Sequence, residues 1–277
     1  MRINRAFLPL VLSGLSLFAQ ESAAPNRTTR YFVVFLRPAP ARKPLEKADG
    51  ERIQAAHMAN IRSMADEGSL ISAGPFDDSP ATISGIFVFQ IGSLQAAQAL
   101  AAQDPTVIEH RNTFDVHAWD GPPGVGEQYY EEHLLDPDAP VNMQIHPFCM
   151  LYRGADWDRK ENKRDALLLA HERYIERLRA MGKLGAAGAI DDRDELLGLV
   201  IFRTIAFDEA QRLLEKDPAV EAGVLRAEYH RWWSADHVLP WRSTLKPGWS
   251  SREPPCRSGR RSWRRSPSGI RRSGIDA

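Results

Sequence analysis

HMANIRSMADEGSLISAG at residues 57–74 and HERYIERLRAMGKLGAAG at residues 171–188 share a pattern of five residues at matching positions. The shared pattern is a histidine, a glycine 11 residues later, and then a leucine, an alanine and a second glycine. All five pairs are separated by 114 positions, which indicates an internal repeat. A period this long predicts two duplicated domains, because the repeats of solenoid proteins are much shorter.

The repeat continues toward the end of each copy with an offset of 113. One residue deleted between two neighbouring strands explains the change of offset. The corresponding positions are 85–89 (GIFVF) and 198–202 (GLVIF), Asp104-Pro105 and Asp217-Pro218, His117 and His230, and Trp119 and Trp232.

Each copy has the same predicted order of elements, βαββαβ. Apolar and β-branched runs predict strands, and apolar residues at helical spacing predict helices. In the first copy, the predicted elements are 31–37, 51–67, 70–73, 85–91, 93–102 and 107–119. In the second copy, they are 147–153, 165–181, 184–187, 198–203, 207–216 and 220–232.

Several residues mark the predicted helix ends. Gly68 and Gly182 stand where a glycine commonly follows a helix. Ser93 and Asp208 are the predicted N-caps of the second helix in each copy. That helix is expected to end at Asp-Pro, because proline disfavours helical backbone in the preceding residue.

The predicted fold class is α+β, with two tandem ferredoxin-like βαββαβ units. A four-stranded sheet with helices on one face leaves its other face uncovered, and two such sheets facing each other bury that surface. We therefore expect a pseudo-dimeric α+β barrel formed within one chain. The predicted domains are 30–120 and 147–241, with a surface linker at 121–146.

The zero net charge of the 277-residue chain is a sum over unlike segments. Residues 25–241 carry a net charge of −9, which argues against a nucleic-acid-binding domain. Residues 242–277 carry +8 without an apolar period and are expected to be disordered, although an anion-binding arm is the open alternative. Residues 1–24 have a basic start, an apolar run and small residues, which predicts a signal peptide and a periplasmic or secreted protein. We expect no membrane span elsewhere.

Cysteine usage and motifs give no sign of a metal or cofactor. Of the two cysteines, Cys149 lies in a predicted strand and is expected to be a buried apolar residue, and Cys256 lies in the basic tail. We expect no structural disulfide. The sequence has no His-x-x-x-His pair, no glycine-rich phosphate loop opening a helix and no serine nucleophile elbow.

The repeated residues resemble the YCII-related family of small dimeric α/β-barrel proteins. The resemblance covers residues 30–120 and 147–241, and it rests on His57, the Gly68-to-Pro75 turn, the Gly85-led strand and Asp104-Pro105. In the second copy, Ala189 replaces the proline of that turn. The resemblance implies a cofactor-independent chemistry, because some relatives of this barrel superfamily act on chlorinated hydroxyquinones or lactones without a cofactor.

The resemblance also implies an active site made of His57 with Asp104, and of His171 with Asp217. A histidine can transfer a proton near neutral pH, and a carboxylate beside it fixes its tautomer. Two structural alternatives stay open. Asp104 could only end a helix, and His57 could be a satisfied core histidine among apolar neighbours.

Further residues are candidates for substrate binding. Arginines that end the first strands could hold a carboxylate or phenolate, and residues of the last strands could line the barrel interior. The alternatives are a surface ion pair for the arginines and strand packing for the others. The candidates are Arg37, Arg153, His117, His230, Trp119 and Trp232.

These observations leave two main functional hypotheses. The first is a lyase- or isomerase-like enzyme that uses the His–Asp pairs on a small cyclic or phenolic substrate. The second is a non-catalytic module of the same fold that binds a small ligand or another protein. Whether the protein is an enzyme and whether the pseudo-dimer forms a higher homo-oligomer are left open by the sequence.

Overall fold

The computed structural model describes residues 28–78, 81–136, 139–191, 195–203 and 206–240. These residues belong to one compact unit. The predicted signal peptide, the basic tail and Cys256 lie outside the described residues.

The first copy follows the predicted order of elements, with one additional short helix. Ser93 caps the second helix as predicted, since its hydroxyl accepts a hydrogen bond from the Ala96 amide at 3.1 Å. Gly68 follows the first helix with a φ of +77°, a conformation that favours glycine. The elements are β1 (Thr29–Pro38), α1 (Lys47–Asp66), β2 (Leu70–Pro75), β3 (Gly85–Phe89), α2 (Leu94–Ala102), α3 (Pro105–Ile108) and β4 (Asn112–Gly121).

The second copy repeats this order after a linker that contains helix α4 (Glu127–Leu135). Gly182 follows its first helix with a φ of +74°, matching Gly68. The elements are β5 (Met143–Arg153), α5 (Glu161–Ala180), β6 (Leu184–Ile190), β7 (Leu196–Phe202), α6 (Phe207–Leu214), α7 (Pro218–Glu221) and β8 (Leu225–Ala235).

The strands of both copies form one antiparallel sheet in the order β2-β3-β1-β4-β6-β7-β5-β8. Each half has the strand order of a ferredoxin-like unit. The halves join where β4 pairs with β6 through Trp119↔Ile190 and Asp120↔Ala189.

A second seam brings β2 next to β8. Phe76 forms an isolated bridge with Trp232, and the Asp77 amide donates to the Arg231 carbonyl at 2.8 Å. The two seams use equivalent strands of the two copies, so the sheet closes into a barrel. The predicted α+β fold with two ferredoxin-like units packed as a pseudo-dimer is therefore confirmed.

Side-chain alternation along the strands divides the core into an interior and two outer layers. The barrel interior is filled by residues of both copies, among them Phe35, Trp119, Phe148 and Trp232. One outer core packs the helices of the first copy against the sheet, and the other does the same for the second copy. Cys149 is fully buried in the second outer core, as predicted, and burial raises the pKa of its thiol.

The predicted start of the last strand was wrong in both copies. Val107 and Val220 lie in the short helices α3 and α7 instead. Proline is favourable in the first turn of a helix, where an amide hydrogen is not needed. Asp104-Pro105 therefore ends one helix and begins the next.

Two smaller predictions were also wrong. Asp208 does not cap α6, because the helix already begins at Phe207, and its carboxylate instead accepts a hydrogen bond from Arg212 at 2.7 Å. The linker does not run only along the surface. Val125 is buried in the barrel core, and the Tyr31 hydroxyl donates to the Pro122 carbonyl at 3.0 Å.

Candidate active site

The first His–Asp pair lies between α1 and α3. His57 projects from the side of α1 that also carries the buried Ile53 and Met64. Asp104 is the N-cap of α3. His57 Nδ1 and Asp104 Oδ2 are 2.7 Å apart, so two residues separated by 47 positions in the sequence are hydrogen-bonded. Asp104 thus caps a helix and also contacts the histidine.

The Asp104 carboxyl group is held in its ionised form. Burial alone raises its pKa, but hydrogen bonds from His57 and Thr106 outweigh burial, and the pKa lies below its ordinary value. An ionised carboxylate only accepts hydrogen bonds. His57 Nδ1 therefore carries the shared proton, which leaves Nε2 as the nitrogen that can take up or release a proton.

The second copy builds the same pair. His171 Nδ1 and Asp217 Oδ2 are 2.6 Å apart, and Asp217 is the N-cap of α7, where it accepts a hydrogen bond from the Ala219 amide at 2.9 Å. Both aspartates are fully buried, whereas the side chains of His57 and His171 are 15% and 16% exposed. Each histidine side chain is therefore partly accessible to solvent.

Both pairs lie on the outer face of the barrel, beneath the helices. The His57 ring is 5.9 Å from the ring of Phe87, which belongs to the outer core of the first copy. His57 therefore does not face the barrel interior.

Four of the predicted substrate-binding residues, by contrast, face the barrel interior. Trp119 and Trp232 are each 1% exposed and pack in the central core. His117 and His230 lie two residues earlier on the same strands and therefore face the same side of the sheet. The structure thus does not bring these four residues together with His57 or His171, because the sheet separates them.

The two interior histidines are each paired with carboxylates. His117 Nε2 is 2.8 Å from Asp115 Oδ2. His230 lies between two acids, with Nδ1 2.7 Å from Asp78 Oδ2 and Nε2 3.2 Å from Glu228 Oε1. Asp78 belongs to the first copy, so the His230 contact spans the seam between β2 and β8.

Arg37 lies at the end of the barrel interior and forms a half-buried ion pair. Its Nε is 2.7 Å from Asp115 Oδ1. The Tyr152 side chain of the second copy also interacts with Arg37. Burial raises the pKa of Tyr152. The ion pair expected for Arg37 is present, in a polar group shared by both copies.

Arg153 is not the structural counterpart of Arg37. The strand register pairs Phe35 with Asp115 and Met150 with Glu228, so Tyr152 occupies the position equivalent to Arg37. Arg153 is exposed on the opposite face, where its guanidinium lies 5.3 Å from the centre of the Trp157 ring.

Sequence reasoning missed several residues of these polar groups. Asp115 and Glu228 were detectable, because each stands two positions before a repeated histidine at the same offset of 113. Asp78 and Tyr152 gave no such signal, since each contributes to a contact between the copies. His146 was also missed. It is buried, and its Nδ1 donates to the Phe202 carbonyl at 3.1 Å.

Two surface pockets lie away from the His–Asp pairs. The first runs along the outer side of α1, lined by residues such as Gln54, Met58 and Arg62. The second, of about 350 Å³, lies beside β8 at the seam between the copies. Its lining residues are Asp77, Asp78, Thr82, Phe207, Tyr229, His230 and Arg231.

Comparison with models of protein families tests the resemblance to the YCII-related family that the repeated residues suggest. The model of the YCII-related domain matches residues 31–116 and again residues 148–232. The chain belongs to the YCII-related domain family. It carries two tandem copies of the domain, in agreement with the repeat in the sequence.

No curated protein gives a significant sequence match to this YCII-related chain. Solved structures resemble its fold at low sequence identity. A haem-binding protein from Thermus thermophilus is 16% identical with a TM-score of 0.44, over 78% of this chain and 96% of that chain. A chlorite dismutase from Candidatus Nitrospira defluvii is 12% identical with a TM-score of 0.47, over 76% of this chain and 94% of that one. These similarities transfer neither a ligand nor a reaction to this YCII-related chain.

Two further observations on the YCII-related chain concern metal ions and membranes. Within the described ranges, no group of three or more His, Cys, Asp or Glu side chains is arranged to hold a metal ion. None of the helices in the described part of the chain is long and apolar enough to cross a membrane.

Proposed function

We propose that this protein is a small-molecule enzyme that works by acid/base catalysis, of the lyase or isomerase type. The observation that supports the proposal is the repeated geometry of the His–Asp pairs, with Nδ1–Oδ2 distances of 2.7 and 2.6 Å and buried aspartates. One such pair is the minimum needed for general acid/base catalysis, and each copy builds it.

The proposed chemistry moves only protons. The neutral histidine takes a proton from the substrate at Nε2, and the resulting imidazolium is stabilised by the ionised aspartate at Nδ1. The imidazolium exchanges this proton with solvent and then protonates another atom of the substrate in an isomerisation, or a leaving group in an elimination. Neither step needs electrons from a cofactor. The proposed substrate is a small cyclic or phenolic compound.

Proton exchange with solvent tests this proposal without knowledge of the product. Phenols, lactones and hydroxy acids would be incubated with the protein in D₂O, and deuterium uptake into each compound followed by NMR. We expect uptake to fall by about 100-fold or more in the double variant His57→Ala/His171→Ala.

His133→Ala is a matched control, because His133 lies on the linker helix α4 and stacks on Tyr129 away from both pairs. The control should leave deuterium uptake unchanged. Equal uptake by the wild type and the double variant would rule out proton transfer by either histidine.

A second candidate function is non-catalytic binding of a small ligand. The seam pocket favours it, because its lining combines the aromatic side chains of Phe207 and Tyr229 with polar residues that include His230 and Arg231. A ligand held there would contact residues of both copies. This function assigns a binding role to His230, as the sequence suggested.

Calorimetric titration with the same compounds separates the two functions. Binding at the seam pocket should weaken in Arg231→Ala and persist in His57→Ala/His171→Ala. Arg212→Ala is the control, since Arg212 is an exposed arginine paired with Asp208 on α6. Binding lost in the double histidine variant but kept in Arg231→Ala would contradict the seam pocket.

Export is also proposed, on the strength of residues 1–24. Expression of the full chain followed by fractionation and N-terminal sequencing tests it. A mature protein that begins near Gln20 or Pro25 supports cleavage of a signal peptide. An intact Met1 in the cytoplasmic fraction would contradict it.

A further inference from the structure

The carboxylate of Asp104 is supported by more donors than that of Asp217. In the first copy, Oδ1 accepts hydrogen bonds from the Thr106 amide at 2.9 Å and from the Thr106 hydroxyl at 2.5 Å. Oδ2 accepts from His57 and also from Asn60 Nδ2 at 3.2 Å. All four donors are directed at one fully buried carboxylate.

A further layer of side chains fixes the direction of the Thr106 hydroxyl. Asn112 Nδ2 donates to Thr106 Oγ1 at 3.0 Å, and Asn112 Oδ1 accepts from the Ser84 hydroxyl at 2.9 Å. Thr106 Oγ1 accepts a hydrogen bond from the side-chain amide of Asn112. The hydroxyl hydrogen of Thr106 is therefore free to donate to Asp104. The chain of hydrogen bonds therefore runs from Ser84 to His57.

The second copy lacks the side chains that give Asp104 its additional support. Its Asp217 keeps the hydrogen bonds to His171 and to the Ala219 amide. The Tyr174 hydroxyl, at the position of Asn60, donates to the Leu213 carbonyl at 2.7 Å instead. At the repeat offsets, the four polar residues Asn60, Ser84, Thr106 and Asn112 correspond to Tyr174, Leu197, Ala219 and Leu225.

We propose that Asn60, Thr106 and Asn112 are positioning residues for the His57–Asp104 pair, and that the first copy carries the proton transfer. The inference rests on the proposed acid/base function. Donors aimed at a carboxylate favour its ionised form and restrict its orientation. His57 therefore keeps one tautomer with Nε2 directed away from Asp104. The second copy retains the same pair as a structural link between α5 and α7.

The positioning role is tested by titrating the Asp104 carboxyl carbon by NMR in the intact chain. Thr106→Val removes the hydroxyl at nearly constant volume and keeps the amide donor. We expect the pKa of Asp104 to lie below its ordinary value in the wild type, to rise in Thr106→Val and to return in Thr106→Ser. An unchanged Asp104 titration in Thr106→Val would overturn the positioning role.

Deuterium uptake by the substrate tests the division between the copies. We expect Thr106→Val and His57→Ala to lower uptake by about ten-fold or more, as is typical when the support of a reacting group is removed. Thr106→Ser should stay close to the wild type, and His171→Ala should lower uptake much less than His57→Ala does. Ala219→Ser is the matched control in the second copy and should leave uptake unchanged.

An equal loss in His171→Ala and His57→Ala would overturn the assignment of proton transfer to the first copy. Absence of uptake in the wild type with every compound would overturn the proposed function together with that assignment. The Asp104 titration would still decide the positioning role in that case, since it needs no substrate.

Discussion

Gly74 and Gly188 hold equivalent positions at the two seams of the barrel, and each lies against a backbone carbonyl of the other copy. A Cβ atom on Gly74 would overlap with the Trp233 carbonyl oxygen, and one on Gly188 would overlap with the Asp120 carbonyl oxygen. The glycines that reveal the repeat in the sequence are therefore the residues that let the two half-sheets approach each other.

Gly74→Ala and Gly188→Ala should each destabilise the protein, because the backbone at the seam must move to admit a methyl group. We expect a loss of about 2–3 kcal/mol in the free energy of unfolding for each. Urea denaturation measures it. Gly50→Ala is the control, since nothing lies within 4 Å of that site, and alanine in a helix should add up to about 1 kcal/mol. Equal stabilities of all variants would contradict the close approach.

His110→Gly should stabilise the protein. His110 has a φ of +51°, and the equivalent Gly223 has a φ of +69° in the same turn of the second copy. A side chain in this left-handed region costs about 1 kcal/mol, which glycine avoids. We expect a gain of up to about 1 kcal/mol in thermal or urea unfolding. His110→Ala keeps the strain and should change little, so an equal gain in both variants would argue against backbone strain as the cause.

Burial of His146 should make stability depend on pH. Desolvation, aided by the charge of Arg203 and opposed by the hydrogen bond to Phe202, lowers its pKa from 6.5 to about 4. The unfolded chain therefore binds a proton that the folded protein excludes as the pH falls from about 6.5 to 4. The stability contributed by neutral His146 is complete above pH 6.5 and declines by roughly 3 kcal/mol across that interval.

Urea unfolding of wild type and His146→Leu between pH 4 and 7.5 checks this dependence. The variant should be less stable at neutral pH, because the Phe202 carbonyl loses its donor. It should also lose less stability than the wild type on acidification. Parallel pH curves for the two proteins would show that His146 does not titrate with folding.

Asp104→Asn should destabilise the protein more than Asp217→Asn. An amide nitrogen cannot accept the hydrogen bonds directed at a carboxylate, and Asp104 faces two more side-chain donors than Asp217. We expect a difference of about 1–3 kcal/mol between the two variants. Urea unfolding at pH 7 measures it, and an equal loss would contradict the unequal support of the two carboxylates.

Much of the fold was predictable because the apolar patterns and the residues at helix ends occur in both copies, so each copy supported the prediction for the other. The predicted strands and helices appear in both copies, with ends that differ by a few residues. The resemblance to the YCII-related family implied the His57–Asp104 and His171–Asp217 pairs, and the structure places both within hydrogen-bonding distance. Alignment of the two copies could also have shown that Thr106 in the first copy corresponds to Ala219 in the second.

Other features were not predictable because they depend on contacts between distant segments. The pairing of His230 with Asp78 joins residues 152 positions apart. The correspondence of Arg37 with Tyr152 follows from strand register, and not from the similarity of Arg37 to Arg153. A charged residue at the end of a strand does not reveal which face of the sheet it occupies.

The sequence by itself determined the two copies and the order of their main elements, because apolar periodicity, helix caps and repeated residues are local properties of the chain. The His–Asp pairs were implied by the resemblance of the repeated residues to the YCII-related family. The tertiary structure decided which residues act together. Closure of the sheet placed His57 and Asp104 on the outer face and turned His117, His230 and both tryptophans toward the interior. It also showed that Asn60 and Thr106 donate to one buried carboxylate, a convergence that arises only when α1 packs against the start of α3.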